Sequence, residues 1–173
     1  MHRIRNTIAM AAAALAVVIT PGLAHGAPTA TAEAEPMAIS ARRQAIVDAA
    51  HYYLQQRTPY VWSSGAEPCS VNGADCECLN RLAYRRGAGI QLPYTLYGQY
   101  DRGVRTSTPA PGDLVFFDLT HDGDVGDAHD HTGVFVGNGM MIHSSSYWGR
   151  VYKQSISSFV DYEGVRAVYV RIL

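Results

Sequence analysis

The sequence predicts an α+β fold, in which helices come first and an antiparallel sheet follows. Apolar residues recur at helical spacing over residues 41–55, which indicates an amphipathic helix. The second half of the chain instead carries short apolar runs between turn residues, and Gly137-Asn138-Gly139 is a hairpin turn of the type that demands positive φ. Helices grouped before strands are typical of α+β domains. We find no internal repeat and no sign of a second domain.

Composition narrows the class of protein. The chain has 173 residues, of which 47% are hydrophobic and 17% charged, as in globular proteins with one well-formed core. The formal net charge is −1, and the basic residues form no stripe or cluster. Because nucleic-acid binding depends on such a basic surface, we expect no nucleic-acid partner.

The first residues have the pattern of a targeting segment. Arg3 and Arg5 precede an apolar run over residues 7–20, and the small residues Ala24, Gly26 and Ala27 follow. This order predicts a secretory signal peptide over 1–27, and the run is shorter than the roughly 18 to 20 apolar residues of a membrane span. We expect residues 28–39 to be a flexible lead-in and residues 40–173 to be the folded domain.

Two helices are predicted from periodicity and end signals alone. The first covers residues 41–55, with Ser40 as its expected N-cap and Thr58-Pro59 as the signal that ends it. The second is a short helix within residues 95–103, which carries three apolar or aromatic side chains.

The predicted strands all lie in the second half of the chain. Each is a short run of apolar or β-branched residues bounded by turn signals, such as Pro111-Gly112-Asp113 before the first of them. They cover 114–117, 131–136, 140–143, 150–152 and 165–172. Their order predicts an antiparallel meander.

Cys76 is the strongest candidate for a reactive group. A third helix is predicted from Leu79 to Arg86, with Asp75 near its N-cap and glycines 87 and 89 at its end. Unpaired N–H groups and the helix dipole at such an N-terminus stabilise a thiolate, so we expect a lowered pKa for Cys76. The thiolate is the nucleophilic form of cysteine.

The cysteine count bears on which thiol reacts. An exported chain meets an oxidising environment, and three cysteines leave one unpaired. A disulfide between Cys69 and Cys78 is the pairing that leaves Cys76 as a nucleophile. Spacing alone does not determine this pairing, so it stands here as a hypothesis.

Two histidines flank the hairpin turn. His131 lies seven residues before Asn138 and His143 five residues after it. On paired strands they are offset by one diagonal step on the same face, within reach of each other. Facing the Cys76 helix, His131 would act as general base and His143 would orient its ring through the other nitrogen.

The acidic loop over residues 121–130 offers rival interpretations. Its His and Asp side chains could ligate a metal ion, but no Glu follows at the twelfth position of a calcium loop, so a solvated loop is the favoured interpretation. His129 is also a rival for the base, because it precedes His131 by two residues and would share its face on a strand.

From about Arg43 to the C-terminus, the chain resembles the NlpC-type cell-wall peptidases, a papain-like branch of the cysteine peptidases. The stretches that carry the resemblance occur in the family's order. They are Pro59-Tyr60-Val61-Trp62, Asp75-Cys76 with Leu79, Leu92-Pro93, Pro111 to Phe117, His131 to Gly139, and Met141-Ile142-His143.

The resemblance implies both a fold and an activity. The fold would be papain-like, with N-terminal helices on a central antiparallel sheet of about five or six strands. The activity would be hydrolysis of peptidoglycan stem peptides in the bacterial cell envelope, beside a D-isoglutamyl residue in many members. The family pattern assigns Cys76 as nucleophile, His131 as base, His143 as third polar residue and Tyr60 as a residue that frames the oxyanion site. We expect a monomer that needs no metal or organic cofactor.

Two positions depart from the family pattern. Where the family usually has Ser-Gly after the nucleophile, this chain has Glu77 and Cys78. Glu77 suits the helix dipole but opposes ionisation of Cys76 if it points at the sulfur, and with Asp75 it borders the substrate side of the site. The alternatives are a weakly active or inactive wall-binding module, a thiol amidase or acyltransferase on another substrate, and a metal-dependent hydrolase built on the acidic loop.

Overall fold

The computed structural model describes residues 34–62, 69–124 and 130–173, and these form an α+β fold, as predicted. The helices are α1 (Ala34–Gln55), α2 (Cys76–Ala88), α3 (Leu96–Asp101) and α4 (Ile156–Glu163). The strands are β1 (Val104–Arg105), β2 (Leu114–Phe117), β3 (His131–Gly137), β4 (Met140–Ser145), β5 (Arg150–Ser155) and β6 (Ala167–Arg171).

The six strands form one antiparallel sheet in the order β1-β6-β2-β3-β4-β5. Strands β2 to β5 are the predicted meander. The last strand departs from it, because β6 pairs with β2 and lies between β2 and β1. The chain reaches that position through α4, which was not predicted and which carries the chain away from the β5 edge.

Helices cover both faces of the sheet and create two apolar clusters. Helices α1 and α2 pack on one face, where Ile46 and Leu79 meet sheet residues such as Val134 and Ile142. On the other face, Phe159 of α4 packs with Phe117 of β2. Because side chains alternate along a strand, consecutive residues of β3 and of β4 pack into opposite clusters. His131 and His143 were expected to face the Cys76 helix, but their side chains alternate onto the α4 face, where they meet Phe159, near the end of the sheet at which α2 starts.

The ends of the first two helices correct two expectations. Helix α1 already includes Ala34, so Ser40 lies inside it rather than at its N-cap. Helix α2 continues past Gly87 and is capped by Gly89 in the left-handed conformation. Only glycine fits at position 87, because α1 passes close by. A Cβ there would lie 2.4 Å from the backbone oxygen of Ala45.

The hairpin between β3 and β4 is as predicted, with positive φ at Gly137, Asn138 and Gly139. The two-residue strand β1 was not predicted, since its exposed residues have no apolar pattern. No helix within the described ranges is long and apolar enough to cross a membrane. The predicted signal peptide over 1–27 lies outside those ranges.

Candidate active site

Cys76 is the first residue of α2, and the helix start is organised by Asp75. The Asp75 carboxylate accepts a hydrogen bond from the backbone N–H of Cys78 at 2.9 Å, which caps the helix as expected. The Cys76 sulfur accepts hydrogen bonds from the backbone N–H groups of Glu77 and Thr132. Since Thr132 follows His131 directly, this contact brings the start of β3 to the thiol.

A buried polar network anchors α2 on the sheet. Asn80, one turn into the helix, donates from its amide nitrogen to Thr132 Oγ1 and to Gln99 Oε1, both at 3.0 Å. Thr132 Oγ1 in turn donates to the carbonyl oxygen of Val115 on β2 at 2.9 Å. The sequence signal for this network is slight, a single Asn one turn into the predicted helix, and it does not reveal the partners on α3 and β3.

A second contact holds the segment that leads into α2. The hydroxyl of Ser144 on β4 donates to the carbonyl oxygen of Ala74 at 2.7 Å. Strands β3 and β4 pair in register at Val134 with Ile142 and at Phe135 with Met141. At the ends of these two strands, the backbone N–H of Thr132 binds the Cys76 sulfur and the Ser144 hydroxyl binds the Ala74 carbonyl, so both contacts lie at the start of α2. The helix N-terminus therefore lies across the ends of the two strands that carry the histidines.

Cys69 and Cys78 form a disulfide, which leaves Cys76 as the free cysteine among the three. Cys69 precedes α2 in the chain, and Cys78 lies in the first turn of that helix. Both cysteines are buried. The bridge ties the loop before the helix to the turn that presents the Cys76 thiol.

The two histidines predicted for the site are in direct contact. His131 Nε2 lies 2.6 Å from His143 Nδ1, and their rings meet edge to face. Phe159 of α4 stacks on His131 and meets His143 edge-on, with ring centroids 5.3 and 5.8 Å apart. Because His131 Nε2 is engaged by His143, Nδ1 is the ring nitrogen of His131 that this contact leaves available.

Gln154 extends this contact to a third strand. Its Oε1 lies 3.1 Å from Nε2 of His143, so both ring nitrogens of His143 have partners. Gln154 also lines a cavity of about 270 Å³, together with Trp148, Phe159 and Tyr162. The sequence offers no signal for Gln154, because one glutamine on a short strand has no motif around it.

The expectation of a lowered pKa for Cys76 is wrong. Burial, followed by the charges of Asp75 and Glu77, raises the pKa of Cys76 to about 12, and the hydrogen bonds from Thr132 and Glu77 only partly oppose this rise. The helix N-terminus does stabilise a thiolate, but this effect is smaller than the destabilisation by burial and by the two carboxylates. The free protein therefore holds Cys76 as a thiol at neutral pH.

Both imidazoles are neutral for the same reason. Burial lowers the pKa of His143 to about 4, against a smaller opposing effect of its hydrogen bond to Gln154. Burial, with the neighbouring His143, lowers the pKa of His131 well below its usual 6.5. At neutral pH the free protein therefore holds the Cys76 thiol and both imidazoles uncharged, and a neutral imidazole has a lone pair that can accept a proton.

Tyr60 lies at the same end of α2. It bridges to Ala74, two residues before Cys76, and its backbone N–H donates to the Gly149 carbonyl oxygen at 2.9 Å. Desolvation and then the charges of Cys76, Asp75 and Glu77 raise the pKa of Tyr60 to about 12. Its hydroxyl is therefore protonated at neutral pH and can donate a hydrogen bond.

In the described part of the acidic loop, residues 121–124 are exposed, as the favoured interpretation of a solvated loop expects. Asp130 is buried, and its carboxylate accepts the backbone N–H of Leu119 at 2.9 Å, while Asp118 accepts from Gly123 at 2.8 Å. Within the described ranges, no three His, Cys, Asp or Glu side chains are grouped as metal ligands. His129, the rival base, and Asp127 lie outside those ranges.

Comparison with known proteins places this geometry in a family. The NlpC/P60 family matches residues 57–168, which span the disulfide, α2 and strands β2 to β5. A probable endopeptidase of Mycobacterium tuberculosis is 36% identical over 115 residues, covering 65% of this chain and 26% of that protein. The bifunctional muramidase/DL-endopeptidase CwlT of Bacillus subtilis is 37% identical over 89 residues, covering 50% and 25%. The chain thus spans about a quarter of the length of these curated relatives.

Solved structures show the same architecture. The NlpC/p60 domain of the peptidoglycan hydrolase SagA superposes with a TM-score of 0.58 at 26% identity, covering 75% of this chain and 97% of that domain. RipD of Mycobacterium tuberculosis, described as a non-catalytic NlpC/p60 domain protein adapted to peptidoglycan binding, shares the fold with a TM-score of 0.53 at 24% identity, covering 74% and 98%. The match over most of the folded region shows that the chain belongs to the NlpC/P60 family.

Proposed function

We propose that this protein is an exported cysteine peptidase that hydrolyses an amide bond in peptidoglycan stem peptides. The observation that carries the proposal is the contact of His131 Nε2 with His143 Nδ1 at 2.6 Å, beside a free Cys76 whose sulfur is bound by the N–H of Thr132. A nucleophile, a base and an orienting group thus occur together at a helix N-terminus.

The first step forms the acyl-enzyme. His131 Nδ1 removes the thiol proton as the Cys76 sulfur attacks the carbonyl carbon, since a thiol with a raised pKa transfers its proton during attack rather than before it. The carbonyl oxygen becomes an oxyanion. The Cys76 backbone N–H has no carbonyl one turn earlier in the helix, and with the Tyr60 hydroxyl it can stabilise this charge.

Collapse of that intermediate breaks the carbon–nitrogen bond. His131, now protonated, gives its proton to the leaving nitrogen, which departs as a free amine. Water then attacks the thioester, and His131 takes one of its protons. When the carbon–sulfur bond breaks, the proton returns to the sulfur, so the products are a carboxylic acid and the original thiol.

Relatives and chemistry support the choice of substrate. Proteins matched by the chain include named endopeptidases and a peptidoglycan hydrolase, and peptidoglycan lies outside the membrane. Export agrees with the Cys69–Cys78 disulfide, because such bonds persist in oxidising compartments. Within the stem peptide, we propose the bond at a D-isoglutamyl residue as the one cleaved.

Digestion of purified peptidoglycan tests the proposal. We expect the wild-type protein to release new stem-peptide fragments, identified by mass spectrometry, and the Cys76→Ala variant to release none. Alkylating the thiol should abolish the activity, whereas a metal chelator should leave it unchanged. Fragments released equally by Cys76→Ala, or lost with the chelator alone, would exclude the thiol mechanism.

One specific observation favours a second candidate, a wall-binding module without turnover. The raised pKa of Cys76 and the carboxylate of Glu77 both work against a reactive thiol, and RipD shows that the fold can be non-catalytic. This candidate predicts that the wild-type protein cosediments with peptidoglycan but releases no fragments, and that Cys76→Ala binds equally well.

A further inference from the structure

Three side chains form a continuous contact across three adjacent strands. His131 of β3 meets His143 of β4 at 2.6 Å, and His143 meets Gln154 of β5 at 3.1 Å. Gln154 lies opposite Met141 in the register, one diagonal step from His143, so the two side chains share a face of the sheet. The function proposed above uses His131 as the base and His143 as its orienting group, but leaves Gln154 without a role.

We propose that Gln154 is a positioning residue, which sets the tautomer of both histidines and so directs the lone pair of the base at Cys76. This inference rests on the proposed function.

The hydrogen-bond chemistry leads to one proton arrangement. In this structure the Gln154 amide turns its oxygen, which can only accept, toward His143, and this orientation places the His143 proton on Nε2. Neutral His143 then presents a lone pair at Nδ1, and His131 must donate to it from Nε2. Neutral His131 consequently has its lone pair on Nδ1, the only ring nitrogen left for the thiol proton.

The opposite arrangement would disable the base. If His143 carried its proton on Nδ1, it would donate to His131 Nε2, and neutral His131 would carry its own proton on Nδ1. That nitrogen could not then accept the thiol proton. Because the two neutral tautomers of an imidazole differ little in energy, an outer partner such as Gln154 decides between them.

The site around Gln154 fits this role. Its side chain is half-buried beside Phe159, which packs on both imidazoles and limits their rotation. Both histidines are buried, which leaves the protein side chains as their main hydrogen-bonding partners. The amide group therefore acts on the base through one intervening ring.

Two substitutions at one position separate the positioning role from a structural one. Gln154→Leu removes the acceptor at similar volume, whereas Gln154→Glu keeps an acceptor oxygen facing His143. Lys153→Leu is the matched control, since Lys153 is an exposed neighbour on the same strand. The tautomers are read by long-range ¹H–¹⁵N NMR of the histidine rings, and turnover is measured on a soluble stem-peptide fragment.

In the wild-type protein, we expect both His131 and His143 to carry their proton on Nε2. In Gln154→Leu, His143 should populate both neutral tautomers instead of one. Its kcat should fall between about tenfold and 100-fold, with KM nearly unchanged. Gln154→Glu should keep the tautomer and restore kcat to within about tenfold of wild type, and Lys153→Leu should match wild type. If Gln154→Leu does not fold, the wild-type and Gln154→Glu spectra decide the matter.

Two results would overturn the inference: a wild-type His143 that is protonated on Nδ1, or a folded Gln154→Leu variant with unchanged tautomers and kcat. The NMR measurement needs no turnover. If the wild-type protein released no peptidoglycan fragments, the proposed function would fail, while the tautomer spectra would still show whether Gln154 orders the two rings.

Discussion

Gly133 lies directly across the sheet from His143, and a Cβ at Gly133 would come within 3.0 Å of the His143 Cβ. Opposed Cβ atoms on paired strands are usually about 4.5 to 5.5 Å apart, so only glycine permits this approach. The register, which pairs Val134 with Ile142, places His131 one diagonal step from His143. The missing side chain therefore leaves room for the two imidazoles to meet.

Replacing Gly133 with alanine should disturb the pair that it accommodates. The added methyl group would press on the His143 Cβ and on the Ile142 carbonyl oxygen, which is also 3.0 Å away. We expect Gly133→Ala to lose about 1 to 3 kcal/mol of unfolding free energy, as overpacked core positions do, and to lower kcat. Urea unfolding and peptidoglycan digestion measure the two effects; unchanged stability together with unchanged activity would contradict the crowding.

Removing the charge of Glu77 should make Cys76 more reactive. The Glu77 carboxylate is one of two charges that raise the pKa of the thiol, and alkylation rates follow the thiolate fraction, which changes tenfold per pKa unit. We expect Glu77→Gln to speed iodoacetamide labelling at pH 8 between about threefold and tenfold. In wild type, the labelling rate should still rise from pH 7 to pH 9, because the pKa of about 12 lies above that range.

The exposed carboxylate of Asp101 offers a matched control for Glu77. Asp101→Asn makes the same chemical change at the end of α3 and should leave the labelling rate unchanged. If Glu77→Gln reacted no faster than wild type, or if the wild-type rate levelled off below pH 8, the raised thiol pKa would be wrong.

Loss of the Tyr60 hydroxyl should weaken catalysis more than binding. A pKa of about 12 keeps this hydroxyl protonated, as an oxyanion donor must be. A single such donor is worth about 3 kcal/mol in the transition state, and Tyr60 shares the role with a backbone N–H, so we expect Tyr60→Phe to lower kcat between about tenfold and 100-fold. The change should leave KM within about twofold. The same change at exposed Tyr97 serves as control, and a Tyr60→Phe enzyme with wild-type kcat would remove Tyr60 from the oxyanion site.

The buried histidines predict a stability loss in acid. In the unfolded chain, histidine binds a proton near pH 6.5, whereas the folded protein holds the pKa of His143 at about 4. The unfolded state therefore binds more protons between these values, so stability is fully present above pH 6.5 and falls as the pH drops toward 4. For His143 alone, the loss between pH 7.5 and pH 4.5 is about 2 to 3 kcal/mol.

Urea unfolding of His143→Gln at the two pH values isolates this contribution. The variant lacks the titrating group, so its stability difference between pH 7.5 and pH 4.5 should be smaller than that of wild type by about 2 to 3 kcal/mol. An equal difference in both proteins would mean that His143 titrates normally in the folded state.

The disulfide can be tested without any activity. Under non-reducing conditions, we expect one alkylated thiol per unfolded chain, mapped by mass spectrometry to Cys76. The double substitution of Cys69 and Cys78 by serine should cost about 2 to 3 kcal/mol of stability, because the bridge closes a short loop in the unfolded chain. Alkylation mapped to Cys69 or Cys78 instead would show that a different pair is joined.

Local sequence signals predicted the elements on which the site is built. Asp75 before an apolar helix predicted the N-cap of α2, and Gly137-Asn138-Gly139 predicted the hairpin that places two histidines on one face. These features depend on the conformational preferences of a few neighbouring residues, which the sequence states directly. Resemblance to the family then predicted the fold that the comparisons confirm. Helix α4 and strand β1 were missed, because their packing partners lie far along the chain.

Long-range packing decided the chemistry of the site. The sequence by itself indicated a Cys at a helix N-terminus and hence a lowered pKa, but burial and two carboxylates raise it instead. Burial and proximity in space belong to the assembled fold, and desolvation acts more strongly on a thiol than the partial charges of one helix end. The same holds for Gln154, which reaches His143 only because β4 and β5 pair in one register. The sequence thus determined which groups are present and on which elements, while the tertiary structure determined their protonation and their partners.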